Sequence, residues 1–249
     1  MVAETVPLPN IRKLFIPDEG KLIAEVDLAQ ADLQVVIWEA NDPILKQMVR
    51  EGVNIHIENA KLVFGLRHVE ESSDPNSPYA KGKRGIHQTN YGGTARTLAI
   101  SIGITIAEAE VFQKRWFAAH PGIQEWHDRT WAQLERDQTI WNKFGYRIKY
   151  FNRVDRAMLR EALAWLPQST VAIVINRALV NIDKALSWVE LLIQIHDSLL
   201  MQFLVKMLQR RNEIRDQCLI TVPYDDPLVI PVGMKVSDKS WGDAQKVAW

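Results

Sequence analysis

Apolar and polar positions along this chain predict a few strands set among many helices. The run KLIAEVDL (21–28) follows a PDEG turn and is apolar enough for a buried strand, and ADLQVVIWEA (31–40) behind it has helical spacing. A short helix is predicted from Pro43, where proline fits a first turn, to Arg50, and another from His56 to Phe64. EESSDPNSP (70–78) reads as a loop. Helix is expected from residue 79 to Tyr91, interrupted by NYGG, and resumed in TARTLAISIG (94–103). Ile106–Arg136 reads as two helices broken at His120 and Pro121, and WNKFGYRIKYF (141–151) as a hairpin around Gly145. Asp155 to Leu186 is a long core helix that could bend at Pro167. LLIQI (191–195) reads as a second buried strand, and PLVIPVGMKV (227–236) as a final one, with Pro231 better placed at a sheet edge.

Strands near residues 23, 195 and 230, separated by helical stretches, predict an α+β fold. Its expected form is a small, mostly antiparallel sheet carrying a large helical insertion, with helices packed on one face.

Composition narrows the class. The 249 residues are 47% hydrophobic and 24% charged, within the range of a globular protein. No apolar run approaches the roughly 20 residues of a membrane helix, and the N-terminus lacks a secretory pattern, so no membrane partner and a cytoplasmic location are expected. Cys218 is the only cysteine, which excludes an internal disulfide and a cysteine-based zinc site. Thirty basic and thirty acidic residues cancel, arguing against bulk electrostatic attachment to nucleic acid. The distribution is uneven, however. Pro75–Ala107 and Gln138–Val154 contain no acidic residue, the first holding Lys81, Lys83, Arg84 and Arg96, the second Lys143, Arg147, Lys149 and Arg153. These are either two anion-facing patches or two solvated loops.

Two aspartates supply candidate chemistry. Asp27 ends the run KLIAEV, and Asp197 follows LLIQI and His196, so both could meet on one sheet. Rigidly held carboxylates suit a two-metal phosphoryl-transfer site built on hard cations. Taken alone, an aspartate at a strand end is most often a turn former or helix cap. Lys83, His87 and Tyr91 stand four residues apart, on one helical face. A cation and two rings in one stripe could take a nucleotide's phosphates and base; an ordinary amphipathic face has the same spacing.

The order DLAQADLQ, KRGIHQTNYG, REALAWLPQST and QIHDSLL resembles the palm and fingers of family A DNA polymerases, especially the bacteriophage-type branch. EGVNIHIENAKLVFG, HPGIQEW and KFGYRIKYF agree, and the resemblance runs from about Asn10 to Trp241. It implies a palm over 10–42 and 141–249 with fingers over 43–140. Asp27 and Asp197 match the catalytic aspartates that hold two Mg2+ ions. Lys83 matches the lysine on the triphosphate, His87 the position near base and sugar, and Tyr91 the tyrosine closing the helix over the templating site. Gln30 and Asp32 fall in the first motif as further nucleotide-binding residues, Asp32 where a glutamate usually excludes a ribose 2′-hydroxyl. Arg84, Arg160, Gln168 and His196 are the implied DNA-binding residues. The implied reaction adds deoxynucleoside triphosphates to the 3′-hydroxyl of a primer on template DNA.

Some positions depart from the pattern. Ser198 stands where His-Asp-Glu is usual, Gln34 where arginine is usual, and Tyr79 at a phosphate-binding arginine's place. Single-subunit RNA polymerases commonly carry His-Asp-Ser, but they keep a small residue at the sugar-discriminating place, whereas this chain has Asp32. Only 26 residues precede Asp27, so thumb and exonuclease domains are expected to be absent. The expectation is a split polymerase in which a separate chain supplies them; the alternative is a non-catalytic palm-fingers module that binds DNA or a replication partner.

Overall fold

The computed structural model of the chain describes residues 9–249. They form two compact units. One comprises the described residues through Ala31, Val171–Val222 and Pro227–Trp249; the other comprises Asp32–Thr170 with Pro223–Asp226.

The first unit is built on an antiparallel sheet of strands β1 (Lys21–Leu28), β4 (Glu190–Ile195), β5 (Ser198–Leu204), β8 (Val232–Ser237) and β9 (Gln245–Val247), in the order β4-β5-β1-β8-β9. The small antiparallel sheet and helical insertion expected from the sequence are both present. Pairing places Val26 opposite Leu199 and Met234, and Ala24 opposite Met201 and Val236, giving one apolar face. The 30-residue helix α8 (Arg156–Ala185) belongs to this unit in its second half, where Val171, Val174, Ile175, Ala178 and Ile182 form a buried stripe. Its composition and length would allow a membrane span, contrary to the expectation above, yet these apolar residues are buried in the protein.

Two strand expectations need correction. β4 is an edge strand with no buried residue, and the buried strand is β5, which follows Asp197 and is buried from Ser198 to Phe203. The run LLIQI is apolar by composition, but its position outside β5 leaves Leu192 and Ile195 exposed. PLVIPVGMKV is not one strand: β7 (Leu228–Val229) pairs with β6 (Thr221–Val222), and β8 begins after Pro231. Proline lacks the N–H a central ladder needs, so the strand starts beyond it. The Pro231 carbonyl instead accepts from the Ala29 N–H (2.8 Å). Helix α9 (Arg211–Cys218) and strand β9 complete this unit, and burial raises the Cys218 thiol to about 12.

The second unit is helical: α1 (Ala31–Ala40, from Asp32 on), α2 (Pro43–Arg50), α3 (Ile55–Phe64), α4 (Pro78–Asn90), α5 (Ala95–Ile102), α6 (Ile106–Ala119), α7 (Pro121–Asp137) and the first half of α8. Side-chain caps explain many of the starts. Asp42, Asn54, Ser77 and Thr94 each accept from a backbone N–H one turn in, and Thr105 with Glu108 forms a capping box. Pro121 ends α6 and opens α7, as the sequence predicts. Between α7 and α8 the hairpin forms as β2 (Thr139–Trp141) and β3 (Arg147–Lys149).

Helix α4 needs its glycines. A Cβ on Gly82 would lie 2.8 Å from Ala60 Cβ on α3, and one on Gly85 would lie 2.7 Å from the Phe112 ring on α6. The bare face lets α4 sit down on its neighbours, leaving Lys83 and His87 exposed on the other side.

Candidate active site

Asp27 lies near the end of central strand β1, opposite Ser198 on β5 and Gly233 on β8. Directly paired residues share a face, so Glu25, Asp27, Ser198, Gly233 and Lys235 line one side of the sheet. The same face continues into a small cluster of Ile23, Leu200 and Trp241. Asp197 sits with His196 in the two-residue turn joining β4 to β5. Its carbonyl accepts from the Leu28 N–H (3.1 Å), which ties that turn to the residue after Asp27.

The turn holds His196 at φ +52°, a left-handed conformation that costs a non-glycine residue about 1 kcal/mol. His196 Nδ1 is 3.3 Å from Asp197 Oδ1. Ser198 Oγ donates to the Ile195 carbonyl (2.9 Å), so its hydroxyl is engaged within the hairpin.

Electrostatics favour a cation at Asp27. Burial raises its pKa, Glu25 and Asp197 add to the rise by repulsion, and Lys235 opposes it. Lys235 Nζ stands 3.3 Å from Glu25 Oε2 and 3.9 Å from Asp27 Oδ1. Space is also kept open: a Cβ on Gly233 would lie 3.2 Å from Asp27 Oδ1. Two carboxylates that repel each other, with a bare position beside one, fit a hard divalent cation that completes its shell with water and substrate oxygens. Among the described residues no group of three or more His, Cys, Asp or Glu side chains is arranged to hold a metal. Gln30, also in this unit, has φ +50°.

In the second unit, Tyr91 caps α4, one turn beyond His87, and the rings meet edge to face at 4.5 Å. Asp32, in the first turn of α1, interacts with both. Burial pushes the Tyr91 phenol far above its usual range and Asp32 pushes it further. Neither Tyr91 Oη nor Asp32 Oδ1 has a hydrogen-bond partner of good geometry among the described residues, so the pair is close but unbonded. Although His87 is exposed in area, desolvation by the surrounding protein lowers its pKa; Asp32 opposes this and Lys83 reinforces it.

His87, Gln88, Tyr91, Thr94 and Arg160 line one cavity of about 510 Å³. Arg160 also lays its stem beside Gly92, whose added Cβ would be 3.3 Å away. Lys83 stands one turn from His87 on the exposed face. Arg84 turns away, donating to the Pro75 carbonyl (2.8 Å). Gln168 is exposed on α8, apart from that pocket's lining. Tyr79 packs edge to face on His56 at 6.1 Å.

The structure thus groups Asp27, Asp197 and His196 in one unit, and Asp32, His87, Tyr91 and Arg160 in the other. Glu25, Gly233 and Lys235 did not stand out in the sequence. Their only signal is strand register, which places them around Asp27 once β8 is known to flank β1.

Comparison with known proteins gives one family. The model of DNA polymerase family A matches residues 4–243. A thermostable DNA polymerase I of Thermus filiformis is 29% identical over 95% of this chain and 29% of its own length. The DNA polymerase of Mycobacterium phage D29 is 27% identical over 96% of the chain and 38% of its own. DNA polymerase I of Deinococcus radiodurans is 32% identical over 78% and 21%. The chain therefore spans well under half the length of these relatives. Among solved structures, the POL domain of Pol1 from M. smegmatis, in complex with DNA primer-template and dNTP, superposes with a TM-score of 0.84 at 22% identity, covering 96% of this chain and 44% of that one.

Proposed function

Because the chain belongs to DNA polymerase family A, we propose that it carries out template-directed DNA synthesis, adding deoxynucleotides to a primer 3′-hydroxyl. The observation that carries the proposal is the pairing of Asp27 with the first residue after Asp197 on one sheet, with the Asp197 carboxylate adding to the cost of ionising Asp27. In this reading, residues 10–42 and 141–249 act as palm and 43–140 as fingers.

Asp27 and Asp197 would hold two Mg2+ ions. Such a pair, when bound, favours deprotonation of the attacking hydroxyl and offsets charge on the departing pyrophosphate. The chain's own residues position the reactants. Lys83 meets the triphosphate as a point charge. His87 and Tyr91 offer ring surface to the base, while Asp32, buried against Tyr91, and Gln30 bear on the sugar. Arg84, Arg160, Gln168 and His196 contact the DNA, with Arg84 leaving the Pro75 carbonyl to do so. Lys235 limits repulsion at Asp27 before the ions arrive. Synthesis would take place in the cytoplasm of a bacterial or phage-infected cell, with thumb and exonuclease functions supplied by a separate chain.

Primer extension with magnesium tests this. Wild-type protein should add deoxynucleotides and strongly prefer them over ribonucleotides, whereas Asp27→Asn and Asp197→Asn should lose at least about 100-fold, as removal of a major electrostatic stabiliser does. Adding a thumb-bearing partner chain should lengthen products. A second reading, a non-catalytic DNA-binding module, is favoured by Ser198, whose hydroxyl is engaged with Ile195 and supplies no third carboxylate. It would prevail if neither wild-type chain nor any partner mixture extended a primer while DNA binding persisted.

A further inference from the structure

The hairpin between α7 and α8 has a side that the proposed polymerase site does not use. In β3 and its continuation, Ile148 and Tyr150 turn inward, while Arg147, Lys149 and Phe151 turn outward. Trp141 is paired with Arg147 across the hairpin and joins the outward row. The guanidinium of Arg147 lies 5.1 Å from the Trp141 ring centroid, a cation–π pair.

Exposure of these rings is high: Trp141 48%, Tyr146 60% and Phe151 84%. The main chain that carries Phe151 is nevertheless anchored. On one side the Tyr150 N–H donates to the Gln138 carbonyl (2.8 Å), and on the other Gln138 Nε2 donates to the Asn152 carbonyl (2.6 Å). The backbone is thus anchored on both sides of Phe151 while its ring is left in water, an unusual use of an apolar side chain. Arg153 follows two residues later, and no acidic residue occurs from Gln138 to Val154.

We propose that this hairpin face binds single-stranded nucleic acid outside the active site, with Trp141 and Phe151 stacking on bases and Arg147, Lys149 and Arg153 meeting phosphates. Cations interleaved with flat rings match a strand whose charged backbone and unpaired bases alternate. An acidic peptide would satisfy the cations and leave the rings without partners. The polarity of the surroundings limits the track: Trp141 and Lys143 also border a cavity lined by Glu125, Asp225 and Asp226, whose carboxylates repel phosphate. Phosphates therefore follow the Arg147–Lys149–Arg153 side. The binding stands apart from the polymerase reading; only the origin of the strand, unpaired template or displaced strand, rests on it.

Fluorescence anisotropy with a labelled 12-mer of thymidines, using the full chain, tests the proposal. The affinity should fall with salt with a log–log slope near −2, the value for about three neutralised phosphates on a single strand. Trp141→Ala and Phe151→Ala should each weaken binding about fivefold, the low end for one stacked base. Trp141→Phe should restore most of the Trp141→Ala loss, and Lys149→Ala should reduce the salt slope by about 0.7. Circular dichroism melting of each variant establishes that it is folded. Folded alanine variants that bind within twofold of wild type would overturn the proposal, as would a loss confined to the lysine and arginine variants, which would mean charge attraction without stacking. Asp27→Asn should leave this binding unchanged, so failure of primer extension and failure of hairpin binding are separable. Footprinting on a primer-template with a 5′ overhang and on a nicked duplex with a displaced flap then distinguishes the two sources; protection of neither sinks the idea.

Discussion

Gly82→Ala sets two physical effects against each other inside α4. Helix propensity favours alanine by about 1 kcal/mol. The structure opposes it, because the new Cβ would stand 2.8 Å from Ala60 Cβ and 3.1 Å from Ala60 Cα, against about 3.5–4.0 Å for a comfortable carbon contact. One of those atoms is backbone, so no rotamer change relieves the clash and α3 and α4 must part. Overpacking of this kind costs about 1–3 kcal/mol. The net expectation is destabilisation of about 1 kcal/mol, opposite in sign to propensity. Urea unfolding followed by tryptophan fluorescence reads it as a lower midpoint at unchanged slope. A double-mutant cycle sharpens the test: Ala60→Gly removes the struck methyl, so the pair should be more stable than the sum of the single effects by about 1 kcal/mol or more. A Gly82→Ala protein as stable as wild type, or absence of coupling to Ala60→Gly, would refute the close-packing account of how this helix is seated.

Further outcomes follow from the charged groups. His56 is 8% exposed and desolvation, with help from Lys83, lowers its pKa from 6.5 to about 4. The unfolded chain takes up this proton near 6.5 and the folded chain only near 4, so stability should fall as pH drops through that window, by at most about 3 kcal/mol, and then level off. His56→Gln should flatten part of this loss in pH-dependent urea melts, leaving the share due to His87 and His127, which are lowered as well. Lys235→Met removes the cation opposing the upward shift of Asp27; the acidic limb of the primer-extension pH profile should move to higher pH, and an unmoved limb would deny Lys235 that influence. Tyr224→Phe takes from the half-buried Glu39 its 2.7 Å hydrogen bond. A loss of about 1–3 kcal/mol is expected in thermal or urea unfolding, the cost of leaving such a group unpartnered.

Much of the fold was legible in the sequence because local signals and tertiary structure agree. Pro43 opens a helix as a first-turn residue, Pro121 divides α6 from α7, and the apolar density of 155–186 is a core helix. The errors fall where a strand's surroundings decide its character. LLIQI and SLLMQFL are both apolar, but one lies at an edge and the other between two neighbours, a difference that only sheet order contains. No glycine or Asn-Gly pair announces the His196–Asp197 turn, so the strand that follows it was not read. The short pairings β6–β7 and β8–β9 leave too little periodicity to read. At the candidate site, Asp27, Asp197 and the Lys83, His87, Tyr91 spacing were visible through residue type and interval. Lys235 and Gly233 were not, because a lysine and a glycine in a terminal strand acquire meaning only from what lies across the ladder.

The central place of β1 also bears on how relatives of this chain can vary in length. Asp27 reaches its face only because β5 and β8 both pair with β1 in fixed register. Dropping or adding one residue within β1 ahead of Asp27 would turn that carboxylate into the apolar face and bring a neighbour such as Val26 or Leu28 out in its place. Edge strand β4, by contrast, already absorbs an irregularity between Leu191 and Ile193. Insertions and deletions should therefore collect in the edge strands and helical connections, while the eight residues of β1 keep their count through any divergence that preserves the two aspartates.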